Sequence, residues 1–114
     1  MTTLINFSHP LSLEAKEQTE VDYVQGSMLR VFDVAVQVDQ SVPLAPQVGR
    51  IVDQAIELAG GRLNIDMIVL PGLASVAVLV AEALPTANIH RLVAAPGVTP
   101  PKFMPVELIR ARYV

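Results

Sequence analysis

Met67-Ile68-Val69-Leu70 is an unbroken apolar run that stops at Pro71-Gly72, and the segment behind it, Leu73 to Leu84, has only Ser75 and Glu82 as polar positions. A short apolar run closed by such punctuation reads as a strand covered on both faces, which is how strands sit in a parallel sheet. Its place is the sheet centre. The segment after it is apolar on nearly every side, so it reads as a helix that cannot lie open to water. Strand, tight turn and covered helix together make the repeating unit of an α/β sheet.

Working upstream, Gly60-Gly61 stops a helix in which Val48, Ile51, Val52, Ala55, Ile56 and Leu58 recur at helical spacing, with Pro46 as its first residue. Before it, Leu29 to Val38 is rich in valine and reads as a second strand, broken by Asp39-Gln40-Ser41 and two prolines. Leu4-Ile5-Asn6-Phe7 is a short first strand and Ser8-His9-Pro10 its turn. Ser12, followed by Glu14 and Glu17, opens a helix that ends near Tyr23 to Gly26. Downstream, Ile89 to Val93 is a fourth strand, Pro96 to Pro105 a proline-rich loop, and Val106 to Tyr113 a fifth strand that pairs with the fourth as an antiparallel hairpin. The expected fold is a Rossmann-like, three-layer α/β domain of order β-α-β-α-β-α-β-β, its sheet mostly parallel, with residues 1–114 forming a single domain.

Composition bounds what such a domain does. With 114 residues, 52% of them hydrophobic, and only 17% charged against roughly 25% in typical soluble domains, the chain has more apolar surface than a small monomer hides. Mean hydropathy is +0.47. A subunit that buries a face against a copy of itself is expected, with Leu73 to Leu84 as the dimer element. No run reaches the roughly 18 apolar residues of a membrane span, and the first residues lack a basic leader, so a cytoplasmic protein is expected. There are no cysteines and only two histidines, far apart, so no metal and no thiol chemistry is expected. A net charge of −3 disfavours long nucleic acid, whose binding draws on many lysines and arginines. The sign is uneven, however. Residues 1 to 46 carry Lys16 and Arg30 against six acids, whereas residues 86 to 114 carry Arg91, Lys102, Arg110 and Arg112 against Glu107. A small anionic ligand stays open.

Open parallel sheets bind ligands outside the carboxyl ends of their strands. That rule selects the turns after the first, second and third strands: Asn6 to Pro10, Gln37 to Pro46, and Leu70 to Ser75. Gly72 lets a ligand approach the backbone, and Ser75 offers a hydroxyl in the first helical turn, although an ordinary turn with Ser75 as a local cap would use the same residues. Neither a GxGxxG nor a Walker motif is present. Ser8 and His9 are adjacent with no carboxylate placed to orient the imidazole, which disfavours a hydrolytic triad and favours binding through Asn6, Ser8 and His9. Asp33 and Asp39 read as turn residues, Arg50, Arg91, Lys102 and Arg110 as solvated charges, and His90 as structural.

The segments Asn6-Phe7-Ser8-His9-Pro10-Leu11, Pro43-Leu44-Ala45-Pro46-Gln47-Val48, Leu70-Pro71-Gly72-Leu73 and Pro96-Gly97 to Pro100-Pro101 occur in that order. In this the chain resembles the small Csx-type ancillary proteins of type III CRISPR loci. The resemblance implies a CARF-like homodimer that recognises a cyclic oligoadenylate second messenger, cyclic tetra-adenylate foremost, across its two-fold axis; separately, apolar surface beyond what one dimer hides leaves open growth into a larger homo-oligomer on ligand binding. Carried onto this sequence, it places Asn6, Ser8, His9, Gly72, Leu73 and Ser75 in the ligand pocket, with no cofactor. Related proteins include ring nucleases that cleave the messenger. Here neither principal turn holds a lysine or arginine to steady transition-state charge, so sequestration of the messenger is the expected role and no catalytic residue is assigned. A metal-independent ring nuclease and a structural adaptor are the alternatives.

Overall fold

The computed structural model describes residues 2–12, 29–93 and 102–106. Five strands, β1 (Thr2–Asn6), β2 (Leu29–Asp33), β3 (Met67–Val69), β4 (Asn88–Val93) and β5 (Lys102–Pro105), form one sheet in the order β2-β1-β3-β4-β5. The first four are parallel, and β5 runs antiparallel along β4. Two helices, α1 (Leu44–Ala59) and α2 (Ala74–Ala83), fill the crossovers from β2 to β3 and from β3 to β4. The chain is therefore a mixed α/β structure on a mostly parallel sheet, as expected, with β3 at its centre.

Alternation along the strands sorts the core into two clusters. Ile5 and Ile68 point to the face that receives Val48, Ile51, Val52 and Ala55 of α1 and Val76 and Val80 of α2. Leu4, Leu29, Val31, Met67, Val69 and Phe103 form the cluster on the other face. Both faces are dry, which explains why β3 is apolar at every position. The expected helix opening at Ser12 and running to Gly26 lies almost wholly outside the described residues.

Two boundaries differ from the sequence reading. The second strand ends at Asp33 rather than Val38, because its partner β1 ends at Asn6 and the pairing stops there. Residues 34–38 stay outside any strand, with Val34 buried, Val36 and Val38 half-buried, and Ala35 and Gln37 exposed. That period-two pattern is real, but it arises from packing against the helical face and not from a ladder. The fifth strand is Lys102–Pro105, inside the expected proline loop, while residues 107–114 lie outside the described part of the chain. Phe103 decides the placement. It is buried opposite Leu92, next to an exposed Met104, and an edge strand tolerates a proline such as Pro105.

Helix α1 begins at Leu44, so Pro46 stands third and not first; it is still in the turn whose N–H groups have no helical partner. The helix ends at Gly60, whose φ of 80° is left-handed, with the Gly61 N–H returning to the Ile56 carbonyl at 3.0 Å. Gly60→Ala is therefore expected to cost about 1 kcal/mol, read as a lower urea midpoint with unchanged slope. The Arg62 guanidinium then reaches the Ala83 carbonyl at 2.9 Å and puts a cation on the C-terminus of α2.

Candidate functional site

Between β1 and β3 the chain reverses its direction of travel across the sheet, because β2 lies to one side of β1 and β3 to the other. At such a switch point the connections diverge and leave a crevice beyond the carboxyl ends. A cleft of about 550 Å³ lies there, walled by Phe7 to Pro10 after β1, Ala35 to Val38 after β2, and Pro71 to Leu73 after β3. Parts of the three turns named from the sequence thus meet at one edge, the second through Gln37 and Val38 alone.

Asn6 builds the first wall. It is 2% exposed and its amide is fully engaged: Nδ2 donates to the His9 carbonyl and to Asp33 Oδ1, each at 2.9 Å, and Oδ1 accepts the Ser8 N–H at 3.0 Å. The last bond closes an Asx turn. Backbone bonds finish the frame, from Phe7 N–H to the Val69 carbonyl and from Val34 N–H to the Asn6 carbonyl, both at 3.0 Å. The turn carrying Ser8 and His9 is therefore tied to β1, β2 and β3 together.

Of the six residues expected in the pocket, Ser8, His9, Gly72 and Leu73 line the cleft, whereas Asn6 lies beneath it and Ser75 does not reach its wall. A Cβ on Gly72 would meet no atom within 4 Å, so the room there is open space in the cleft mouth. Leu73 is the N-cap of α2, in an extended conformation that offers no side-chain cap. The first N–H with a helical partner is that of Ala77, bonded to the Leu73 carbonyl at 2.9 Å. Ala35 and Val36 are cleft residues that the sequence reading placed inside a strand. The shortness of β1 was the available sign, since a strand partner of only five residues cannot pair with ten.

Among the described residues the cleft wall carries no aspartate, glutamate, lysine or arginine, and His9 is the one titratable side chain on it. Phe7, Val36, Val38 and Leu73 make much of it apolar. Such a surface suits a flat heteroaromatic ring, with neutral donors and backbone N–H groups available to an attached anion. Asp33 faces Asn6 and not the cleft. Asp39 belongs to the loop before α1, where the Ser41 hydroxyl and N–H donate to its carboxylate and hold it below the usual carboxylate range. Gln47 knits that loop, accepting the Asp39 N–H at 2.7 Å and donating to the Asp39 and Pro43 carbonyls at 2.9 Å. Arg50 and Arg91 are exposed and away from the cleft, and Arg30 stacks over Phe32 at 5.6 Å. His90 is buried in β4 with Nδ1 3.3 Å from the Asn88 carbonyl.

A smaller hollow of about 310 Å³ lies at the opposite edge, by Thr3, Arg30, Asn64 and Asp66. There the Thr3 N–H donates to Asp66 Oδ2 at 2.8 Å and the Asp66 N–H to the Thr3 carbonyl at 3.0 Å, which closes the amino end of the sheet. Among the described residues no group of three histidine or acidic side chains could hold a metal ion, and no helix is long and apolar enough to cross a membrane. Compared with known proteins, the chain matches no family model, no curated protein and no solved structure.

Proposed function

We infer that this protein is a CARF-like, Rossmann-type cytoplasmic subunit. Two copies of it hold a cyclic oligoadenylate, cyclic tetra-adenylate foremost, and withdraw it from type III CRISPR signalling. The observation that carries the reading is the cleft at the β1/β3 switch point, roomy, partly apolar and, among the described residues, lined by no carboxylate, lysine or arginine. An adenine fits against apolar walls such as Val36, Val38 and Leu73, while the phosphates meet Ser8, His9 and the backbone around Gly72. Holding is favoured over cleaving because, among the described residues, no lysine or arginine on the wall would stabilise the charge that builds on the phosphate during ring opening.

The test mixes the protein with labelled cyclic tetra-adenylate, with and without chelator, and follows retention on a native gel and integrity by chromatography. Retention of intact ligand is expected. Gly72→Leu, which puts a side chain into the open mouth, is expected to weaken retention by about tenfold or more while leaving the unfolding midpoint unchanged. Linear products carrying a 2′,3′-cyclic phosphate would replace sequestration by ring-nuclease activity. Absence of retention at micromolar protein would overturn the messenger reading and leave an adaptor role.

A further inference from the structure

Helix α2 has two unlike faces. Val76 and Val80 are fully buried in the core, whereas Ala74, Ser75, Val78 and Glu82 are exposed along the other side, with Val78 at 64%. A single exposed valine is ordinary. What is not ordinary is the charge placement around it. Glu82 sits in the last turn, where the helix already presents partial negative charge, so its carboxylate opposes its own helix. The first turn has the reverse deficit, for it holds no acidic residue and no side chain caps it. Its N–H groups at Ala74, Ser75 and Val76 have no helical partner.

The C-terminus already has the Arg62 guanidinium on the Ala83 carbonyl, whereas the N-terminus lacks what Glu82 of a second copy supplies. Val78 stands four residues from Ala74 and four from Glu82, about 6 Å either way along the axis. If Val78 meets its own copy on a two-fold axis, Glu82 of each chain falls opposite Ala74 and Ser75 of the other. The carboxylate then accepts from backbone N–H groups and from the Ser75 hydroxyl, twice per dimer. Ala74 and Ala81 are small, so the helix axes can approach to about 8 Å. We propose that α2 is a self-pairing surface, on which two copies of this chain dock antiparallel about Val78 and Glu82 of each caps the α2 N-terminus of the other. The proposal rests on the two-copy part of the reading above and not on the identity of the ligand. It also gives Ser75 a place, beside the cleft and not in it, and brings the second copy next to Gly72 and Leu73 at the cleft mouth.

The chain contains no cysteine, so Val78→Cys places a single thiol on the proposed axis. Treated with a short bis-maleimide in the absence of nucleotide, V78C is expected to link into dimers, while Leu63→Cys, at a position 84% exposed, links at about a tenth of that yield or less. Glu82→Lys, which turns both caps into repulsions, is expected to weaken association by about tenfold in sedimentation. Equal linking of the two thiols, a dimer that V78C fails to trap, or a ligand-free monomer would each overturn the proposal, as would unchanged association in E82K. Ligand plays no part in these measurements, so failure of the messenger reading and failure of the interface are told apart.

Discussion

Asn6→Ala is expected to lower the unfolding free energy by about 2–4 kcal/mol, because it removes three hydrogen bonds and leaves the Ser8 N–H and the His9 carbonyl to find other partners. It is also expected to cut messenger retention by about tenfold or more at a temperature where the variant is folded, since the wall carrying Ser8 and His9 hangs on that amide. Urea unfolding and the native-gel assay read the two effects separately. Asn6→Asp is the sharper companion. It keeps an acceptor for Ser8 but loses both donors and sets a second carboxylate against Asp33 Oδ1 in a site that is 2% exposed. It should do no better than alanine. A loss of less than about 0.5 kcal/mol in both variants would show that the network does not hold the turn.

Ile68→Ala is the second large effect, expected at about 3–4 kcal/mol of the 5–15 kcal/mol that a small domain has in total. Ile68 is 0% exposed at the middle of β3, paired with Ile5 on one side and Ile89 on the other, under both helices. Neighbours on three sides limit how far the site can collapse around the lost atoms, which is the condition under which such cavities are costly. Leu63→Ala, at an 84% exposed leucine, should move the urea midpoint hardly at all. Similar losses in the two variants would contradict the assignment of β3 to the dry centre of the sheet.

The centre of the fold was legible because its residues answer to one requirement each. Every residue of β3 is apolar since both faces are covered, and Gly60 ends α1 since a left-handed residue is needed there. Legibility failed where two causes write the same pattern. Residues 34–38 alternate as a strand does, yet only one side of them is packed and nothing extends the ladder past Asp33. Prolines between Pro96 and Pro105 signalled a loop, although an edge strand accepts them at its ends, and the single Phe103 outweighs them by filling the second core cluster. A cleft past the carboxyl ends of the first three strands was legible, because it follows from topology, but the wall after β2 is Ala35 to Val38 and takes only Gln37 and Val38 from the turn read from the sequence. Which side chains face the cleft did not follow. Asn6 and Ser75 have the right chemistry, but the first is turned beneath the floor and the second lies beside the mouth, and only the packed structure distinguishes these from Ser8 and His9.

The position of β1 between β2 and β3 has a consequence for the order of assembly. Thr3 meets Asp66 across 63 positions, and the β1–β3 pairing is the longest-range of the four in the sheet. Closing a loop of that length costs about 4 kcal/mol in chain entropy before any contact returns it, whereas β4 and β5 pair across a short connection. On a ribosome, β1 meets β2 well before β3 is made, and the crevice between the ends of β1 and β3 exists only after β3 has joined them. A ligand bridging the turns after β1 and β3 would therefore clamp the pairing that is hardest to form, slowing the opening of the sheet along its centre line.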